Sequence, residues 1–256
     1  MQSSGMPIDI LRSFSERRAS LESVMRALVE YPNWLVPTLY LEQIMGMSVS
    51  ERVTMFSERV NTPNRQLWLF TDDAHAHLAQ RQKVELGLYA TNVPGQLIFE
   101  TLSYTSLDAL HVNAFAPPSE AWVISHENFA LSRMWSQALS LEAMLRSPNW
   151  EDPTLLRALK LFGGYQALFR PNNTIVTAVG ASGPRSPALL FTTPDSLARY
   201  QSEMSQGQGF SVRTFDGLTL CNVSSRADVD GFILNVRGPG PTVMLPLSAC
   251  ERARTI

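Results

Sequence analysis

Asp72-Asp73-Ala74-His75-Ala76-His77 sets two carboxylates and two imidazoles side by side, the donor types that hold a divalent cation. On a helix, side chains at i and i+2 diverge, so His75 and His77 point to different places and a solvated helix face is expected instead. Gly180-Ala181-Ser182-Gly183-Pro184 has the outline of a nucleophile turn. That elbow sits between a strand and a helix, whereas Pro184 and Pro187 lead into another strand, which predicts a loop. Gly238-Pro239-Gly240 is a poor anion cradle because proline donates no backbone N–H, and a tight hairpin is expected. Cys221 with His111 or His126 would make a thiol–imidazole pair, but nothing in their spacing joins them. Cys221 reads as a buried structural thiol at the end of Leu218-Thr219-Leu220. Asn113 and Asn235 each close an apolar strand. Their amides are expected to satisfy backbone groups in the turn that follows, or to contact a partner. Of the five tryptophans, Trp34, Trp68 and Trp122 lie in apolar runs, whereas Trp135 and Trp150 flank a linker and suit an inter-domain or partner surface. No catalytic, cofactor-binding or metal-binding residue is expected. The partner-binding candidates are Asn113, Asn235, Trp135 and Trp150.

The elements that position these residues belong to a chain of 256 residues, long enough to bury a core without disulfides or metal. Hydrophobic residues make up 45% and charged residues only 17%. With 21 basic against 23 acidic residues the net charge is −2, which excludes the basic excess that nucleic-acid binding uses. Two cysteines cannot build a disulfide framework and read as reduced cytosolic thiols. There is no apolar run of membrane-spanning length and no secretory signal pattern, so a cytoplasmic protein is expected. The glycosylation patterns at Asn172-Asn173-Thr174 and Asn222-Val223-Ser224 are then accidental.

The chain repeats itself. Leu67–Thr71 and Ala188–Thr192 anchor two copies, with Phe70-Thr71 facing Phe191-Thr192. Downstream, Ala109–Asn113 faces Gly231–Asn235; upstream, Trp34-Leu35-Val36-Pro37 faces Leu168-Phe169-Arg170-Pro171, with an insertion in the first copy between Pro37 and Phe70. Each copy opens with an amphipathic helix. Leu21, Val24, Met25, Leu28 and Val29 form one stripe, and Leu155, Ala158, Leu159 and Phe162 the other. Asp152-Pro153 starts the latter and Gly163-Gly164 ends it. A strand follows in each, over 34–40 and 165–170. Thr71 and Thr193 are expected to cap the next helices, with Ala74 and Leu78 inward in one and Leu197, Tyr200 and Met204 inward in the other. After an edge-like segment come the strands ending at Asn113 and Asn235, a Pro/Gly turn, and final strands at 121–124 and 242–245. Ser125 is expected to cap a further helix in the first copy, while the second stops soon after Pro246. Two α+β domains follow, 1–146 and 147–256, joined by a helical stretch (131–146) and a short linker.

At these residues the chain resembles the SseB family. The carrying motifs are Leu35-Val36-Pro37, Phe70-Thr71, Leu110–Asn113 and Trp122-Val123-Ile124 in the first copy. In the second they are Phe191–Leu197 and Val229–Asn235. Ala114 and Val236 depart from the proline that often follows the asparagine. The second half also resembles another N-terminal domain rather than the family's usual C-terminal one. The resemblance implies two tandem SseB-like domains, each a mixed β-sheet packed with helices, with no cofactor. It implies a bacterial cytosolic protein-binding module whose partner is a regulatory target, a toxin or a secretion component. Alternatives are a small enzyme with a cleft between the domains, using His126 with Asp152 or Cys221, and a structural self-assembling protein.

Overall fold

The computed structural model describes residues 7–38, 66–82, 89–102, 107–178, 186–204, 209–224 and 229–256. The expected insertion at 39–65 and the Gly180–Pro184 turn lie outside the described residues. The chain divides into two compact units, Met1–Ser136 and Gln137–Ile256, each mixing helices with strands. No helix among the described residues is long and apolar enough to cross a membrane.

The first unit opens with α1 (Pro7–Ser15), α2 (Leu21–Glu30) and β1 (Trp34–Thr38). Next come β2 (Gln66–Leu69), α3 (Asp73–Gln82), β3 (Tyr89–Val93) and α4 (Gly95–Leu102). It ends with β4 (Ala109–Val112), β5 (Trp122–Ser125), a 3₁₀ turn at His126–Asn128 and the start of α5 (Phe129–Leu145). Strand β2 runs parallel to β4, β4 antiparallel to β5, and β1 antiparallel to β3. Leu35 and Phe70 exchange two backbone hydrogen bonds of 2.9 Å, which join these groups in the order β5-β4-β2-β1-β3.

The second unit begins in α5 and continues through α6 (Pro153–Leu161), β6 (Tyr165–Phe169), β7 (Ala188–Phe191), α7 (Pro194–Met204) and β8 (Ser211–Phe215). It closes with α8 (Gly217–Ser224), β9 (Gly231–Leu234), β10 (Val243–Pro246) and α9 (Leu247–Thr255). Its sheet has the order β10-β9-β7-β6-β8, with β7 and β9 parallel and the other neighbours antiparallel. Strand for strand, this is the order and sense found in the first unit.

The matching positions correct the upstream register. Trp34 corresponds to Tyr165, not Leu168: Trp34 Nε1 donates to the Leu28 carbonyl at 3.0 Å and Tyr165 Oη to the Leu159 carbonyl at 3.2 Å. Each ring meets the aromatic residue at its helix's end edge-on, Tyr31 at 5.1 Å and Phe162 at 4.8 Å. Similar letters ending in proline suggested the slipped alignment. The physical equivalence is an aromatic ring whose polar atom satisfies a carbonyl left over at a helix C-terminus.

The leading helices form as their stripes predict. Val24, Met25, Leu28 and Val29 are buried in α2, and Leu155, Leu156 and Leu159 in α6. Asp152 caps α6, accepting from the Thr154 N–H at 2.8 Å. Helix α6 ends when Phe162 turns extended, so Gly163-Gly164 is not the stop signal; Tyr31 ends α2 in the same way. Helix α3 is capped by Asp72 rather than Thr71, and it buries Ala76 and Ala79 in place of Ala74 and Leu78. In α7, Leu197 and Tyr200 are buried but Met204 is exposed.

Both edge-like segments are a strand followed by a helix. Gly95 and Gly217 begin those helices, with N–H groups that donate 2.7 Å bonds to the Tyr31 and Phe162 carbonyls. A Cβ on Gly95 would lie 2.5 Å from the Leu28 carbonyl, and one on Gly217 would lie 2.7 Å from the Lys160 carbonyl and closer still to that of Leu159. Helix α9 follows β10 with Ala249, Cys250 and Ala253 buried, so the second unit does not stop soon after Pro246 as expected. The division at Ser136–Gln137 falls inside α5. The first part of α5 follows β5 as α9 follows β10, and its second part precedes α6 as α1 precedes α2. One helix thus closes one unit and opens the next.

Replacing Gly217 by Ala is expected to cost about 1–3 kcal/mol, because backbone carbonyls cannot yield as side chains can. Gly163→Ala, which meets nothing within 4 Å, is expected to be close to neutral. Urea unfolding of the two variants checks the contrast.

Candidate functional site

Asn113 and Asn235 occupy the same place in their units and are completely buried. The Asn113 N–H donates to the Leu69 carbonyl at 2.8 Å, one more rung of the parallel β2–β4 ladder. The next rung would run from the Thr71 N–H to the Asn113 backbone carbonyl. That carbonyl has turned away to accept from the Ala116 N–H at 3.0 Å, and Asn113 Oδ1 accepts from the Thr71 N–H in its place at 2.9 Å. The second unit repeats the arrangement. Asn235 N–H donates to Leu190 O at 2.8 Å, Gly238 N–H donates to Asn235 O at 3.0 Å, and Asn235 Oδ1 accepts from Thr192 N–H at 2.9 Å. Both asparagines have left-handed backbones, with φ of 49° and 54°. Asparagine tolerates this region, and its side-chain carbonyl can stand in for a peptide carbonyl. Backbone groups of the turn that follows are the expected partners of these amides; in both units the side-chain oxygen instead serves the threonine N–H beyond the neighbouring strand.

Around this shared corner the units differ. In the first, Asn113 Nδ2 donates to the Glu120 carbonyl at 3.0 Å. The Glu120 side chain takes Arg12 Nη2 at 2.8 Å on one oxygen and lies 3.2 Å from His75 Nε2 through the other. His75 Nδ1 lies 2.7 Å from Asp72 Oδ2. An imidazole is thus held between two carboxylates, with a guanidinium beyond. His75 is only 11% exposed, so it is not on a solvated face. His77 turns away to Gln80 at 2.9 Å, which matches the divergence expected at i and i+2. The Arg12 guanidinium holds the Glu120 carboxyl below the usual carboxylate range, with a smaller contribution from His75. Burial pushes the Asp72 carboxyl up, but hydrogen bonds from His75 and Thr71 outweigh it and leave the group lowered.

In the second unit the corner meets Glu142 of α5, which is 3% exposed. The Thr192 hydroxyl has one hydrogen and two acceptors within reach: Glu142 Oε1 at 2.6 Å and Asn235 Oδ1 at 3.1 Å. The shorter contact takes it. Asn235 Nδ2 then donates to Thr192 Oγ1 at 2.8 Å and to Glu142 Oε1 at 3.2 Å. Thr193 and Ser196 hydroxyls, 2.8 Å apart, occupy the positions of Asp72 and His75.

The other residues singled out in the sequence have local partners. Trp135 is buried at 1% exposure beneath the Arg26 guanidinium, 5.6 Å from the ring centre. Trp150 is half-buried and packs on the core of the second unit. Neither Asn113, Asn235 nor Trp135 presents its side chain to solvent. His126 Nδ1 lies 2.8 Å from the Leu107 carbonyl and Asp152 is spent as a cap. His111, whose ionisation is held down by burial, lines a hollow with Trp68, Phe115 and Trp122. Cys221 lies inside α8, next to Cys250. Among the described residues no group of three potential metal ligands comes together.

What the residue types did not disclose is a groove of about 640 Å³ in the second unit. Its floor is Phe169, Ala188, Leu190, Phe215, Leu220 and Phe232, and its rim carries Arg170, Arg213, Asn172 and Asn173. Among the described residues its lining contains no carboxylate, imidazole or thiol. The Arg213 guanidinium lies 4.4 Å from the Phe169 ring centre and donates to Asn173 Oδ1 at 2.6 Å. Beside the groove runs β8, a sheet edge with only β6 next to it among the described strands and with Ser211–Thr214 exposed. The scattered positions of the lining, spread over four strands, a turn and α8, left no local signal in the sequence.

Comparison of the chain with protein-family models, with curated proteins and with solved structures found no match.

Removing either asparagine strands a buried N–H, at a cost of roughly 1–3 kcal/mol. Asn113→Ala and Asn235→Ala are therefore both expected to lower stability by about that much, read by urea unfolding. Asn235→Asp is expected to be worse than Asn113→Asp, since only the former sets a second carboxylate against Glu142. The Asp72 and Glu120 carboxyls ionise more readily in the folded chain, so their stabilisation is complete above their unfolded values near pH 4 and is lost as the pH falls through the lower folded ones. Glu120→Gln is accordingly expected to flatten the fall in Tm below about pH 4.5 while lowering Tm at neutral pH. Thermal melts from pH 6 to 3 check it.

Proposed function

We propose that the chain is a non-enzymatic protein-binding module of SseB-like type in a bacterial cytoplasm, working by surface complementarity as a regulatory, immunity or secretion-associated protein. The observation that carries this reading is the exposed edge strand β8 beside an apolar groove whose described lining has no carboxylate, imidazole or thiol. An unpaired edge offers a ladder of backbone donors and acceptors to an extended segment, and neighbouring pockets read alternate side chains. Arg170 and Arg213 on the rim, with no acidic residue among the described lining residues, favour a segment that alternates apolar with acidic residues. The same strand order in both units is consistent with a tandem duplication, in which the second unit keeps the binding edge.

Selection of extended peptides against the full chain, followed by calorimetry, tests this. Selected peptides are expected to carry acidic and apolar residues in alternation. Arg213→Glu is expected to weaken them at least about tenfold, while Arg157→Glu, on α6 and outside the groove, leaves binding unchanged. Peptides of any other composition, or binding indifferent to Arg213→Glu, would contradict the proposal. So would a stable dimer, seen by light scattering, that Arg213→Glu disperses.

A further inference from the structure

Cys221 on α8 and Cys250 on α9 are free thiols at 3% and 1% exposure, in one core cluster with Tyr165, Leu220, Ala249 and Ala253. Their side chains are hydrogen-bonded to each other, and the positive charges of Lys160 and Arg254 lie close enough to act on Cys221. The corresponding positions of the first unit, on α4 and α5, hold Phe99 and Phe129, both buried. In the second unit α8 and α9 pack against each other, and these two positions hold thiols in place of the aromatic rings. A core needing no more than bulk would be served by any apolar pair. Two adjacent thiols, one of them held below its ordinary ionisation range by its neighbours, add a chemistry that bulk does not need.

We propose that Cys221 and Cys250 form a reversible dithiol–disulfide couple that links α8 to α9 on oxidation. With glutathione disulfide as oxidant, the Cys221 thiolate attacks one glutathione sulfur and expels a glutathione thiolate, which takes up a proton. Cys250, on losing its proton, then attacks the Cys221 sulfur of the mixed disulfide and expels the second glutathione. The two protein thiols are oxidised by two electrons and one glutathione disulfide is reduced to two thiols. The hydrogen bond to Cys250 and the nearby cations lower the Cys221 thiol against the opposing effect of burial, which fits its role as the attacking group. Since both sulfurs are buried, the first attack waits on a local opening of α8 or α9 and is slow compared with an exposed thiol.

The test uses the full folded chain, incubated without denaturant in glutathione buffers of rising oxidised fraction. Samples are quenched in acid, alkylated after unfolding, and mapped by peptide mass. The expected product is a Cys221–Cys250 cross-linked peptide, lighter by about 2 Da than the two thiol peptides together, and restored by dithiothreitol. Cys250→Ser is expected to stop at a single glutathione on Cys221. Because that variant could misfold, the wild-type map stands as the decisive reading. Recovery of both cysteines fully alkylated at the highest oxidised fraction would overturn the proposal. So would glutathione on each cysteine separately, or a cross-link that forms only in denaturant.

Discussion

The ends of parallel strands pose a problem that antiparallel hairpins avoid. Two neighbouring chains must leave the sheet in the same direction, and their last donors and acceptors must find partners inside the protein. Here one asparagine per unit solves it. Its backbone turns left-handed to leave the strand, its own carbonyl goes to the turn, and its side-chain carbonyl extends the ladder by one more rung to Thr71 or Thr192. The helices α3 and α7 start two residues beyond those threonines, after Asp72 and Thr193. The direction in which each helix leaves is therefore tied to the amide that holds the threonine just ahead of it. A hydrophobic side chain in the same place offers no acceptor, and a carboxylate offers no donor for the Glu120 carbonyl in one unit or for Thr192 and Glu142 in the other.

The two units share this corner and differ in what surrounds it. An imidazole between two carboxylates closes the first, whereas neutral hydroxyls and a buried glutamate from α5 close the second. A common backbone solution thus tolerates quite different polar neighbours, provided each donor keeps a partner. The same latitude applies to the faces the corner does not touch. The groove beside β8 and the two thiols on α8 and α9 lie in the second unit, and the positions of the thiols are filled by buried Phe99 and Phe129 in the first.

Local signals in the sequence were good guides wherever local chemistry decides the outcome. The stripes of α2 and α6, the Asp152 cap, the strands at 188–191 and 231–234, and the place of both asparagines all read directly from residue type and spacing. Elements decided by tertiary contact were not legible. Gly95–Leu102 and Gly217–Ser224 are short apolar runs whose helical form depends on a glycine docking against the end of another helix. Trp34 aligns with Tyr165 through a hydrogen bond to a helix carbonyl, which a match of letters cannot see. Arg12, His75 and Glu120 come from three distant segments, so their network has no sequence signature. Glu142, within the helical stretch expected at 131–146, is buried against Asn235, a contact between residues far apart in the chain.

The most direct test of the asparagine corner is hydrogen exchange at single amides, followed by NMR on the intact chain. The Thr71 and Thr192 N–H groups lie just beyond the last residue of a strand, where a fraying end would exchange quickly. Held by Asn113 and Asn235, they should exchange as slowly as the amides of Asn113 and Asn235 themselves, which belong to the ladder. Exchange at the rate of an open loop in either threonine, with the neighbouring strand amides still protected, would show that the side chain does not carry the final rung.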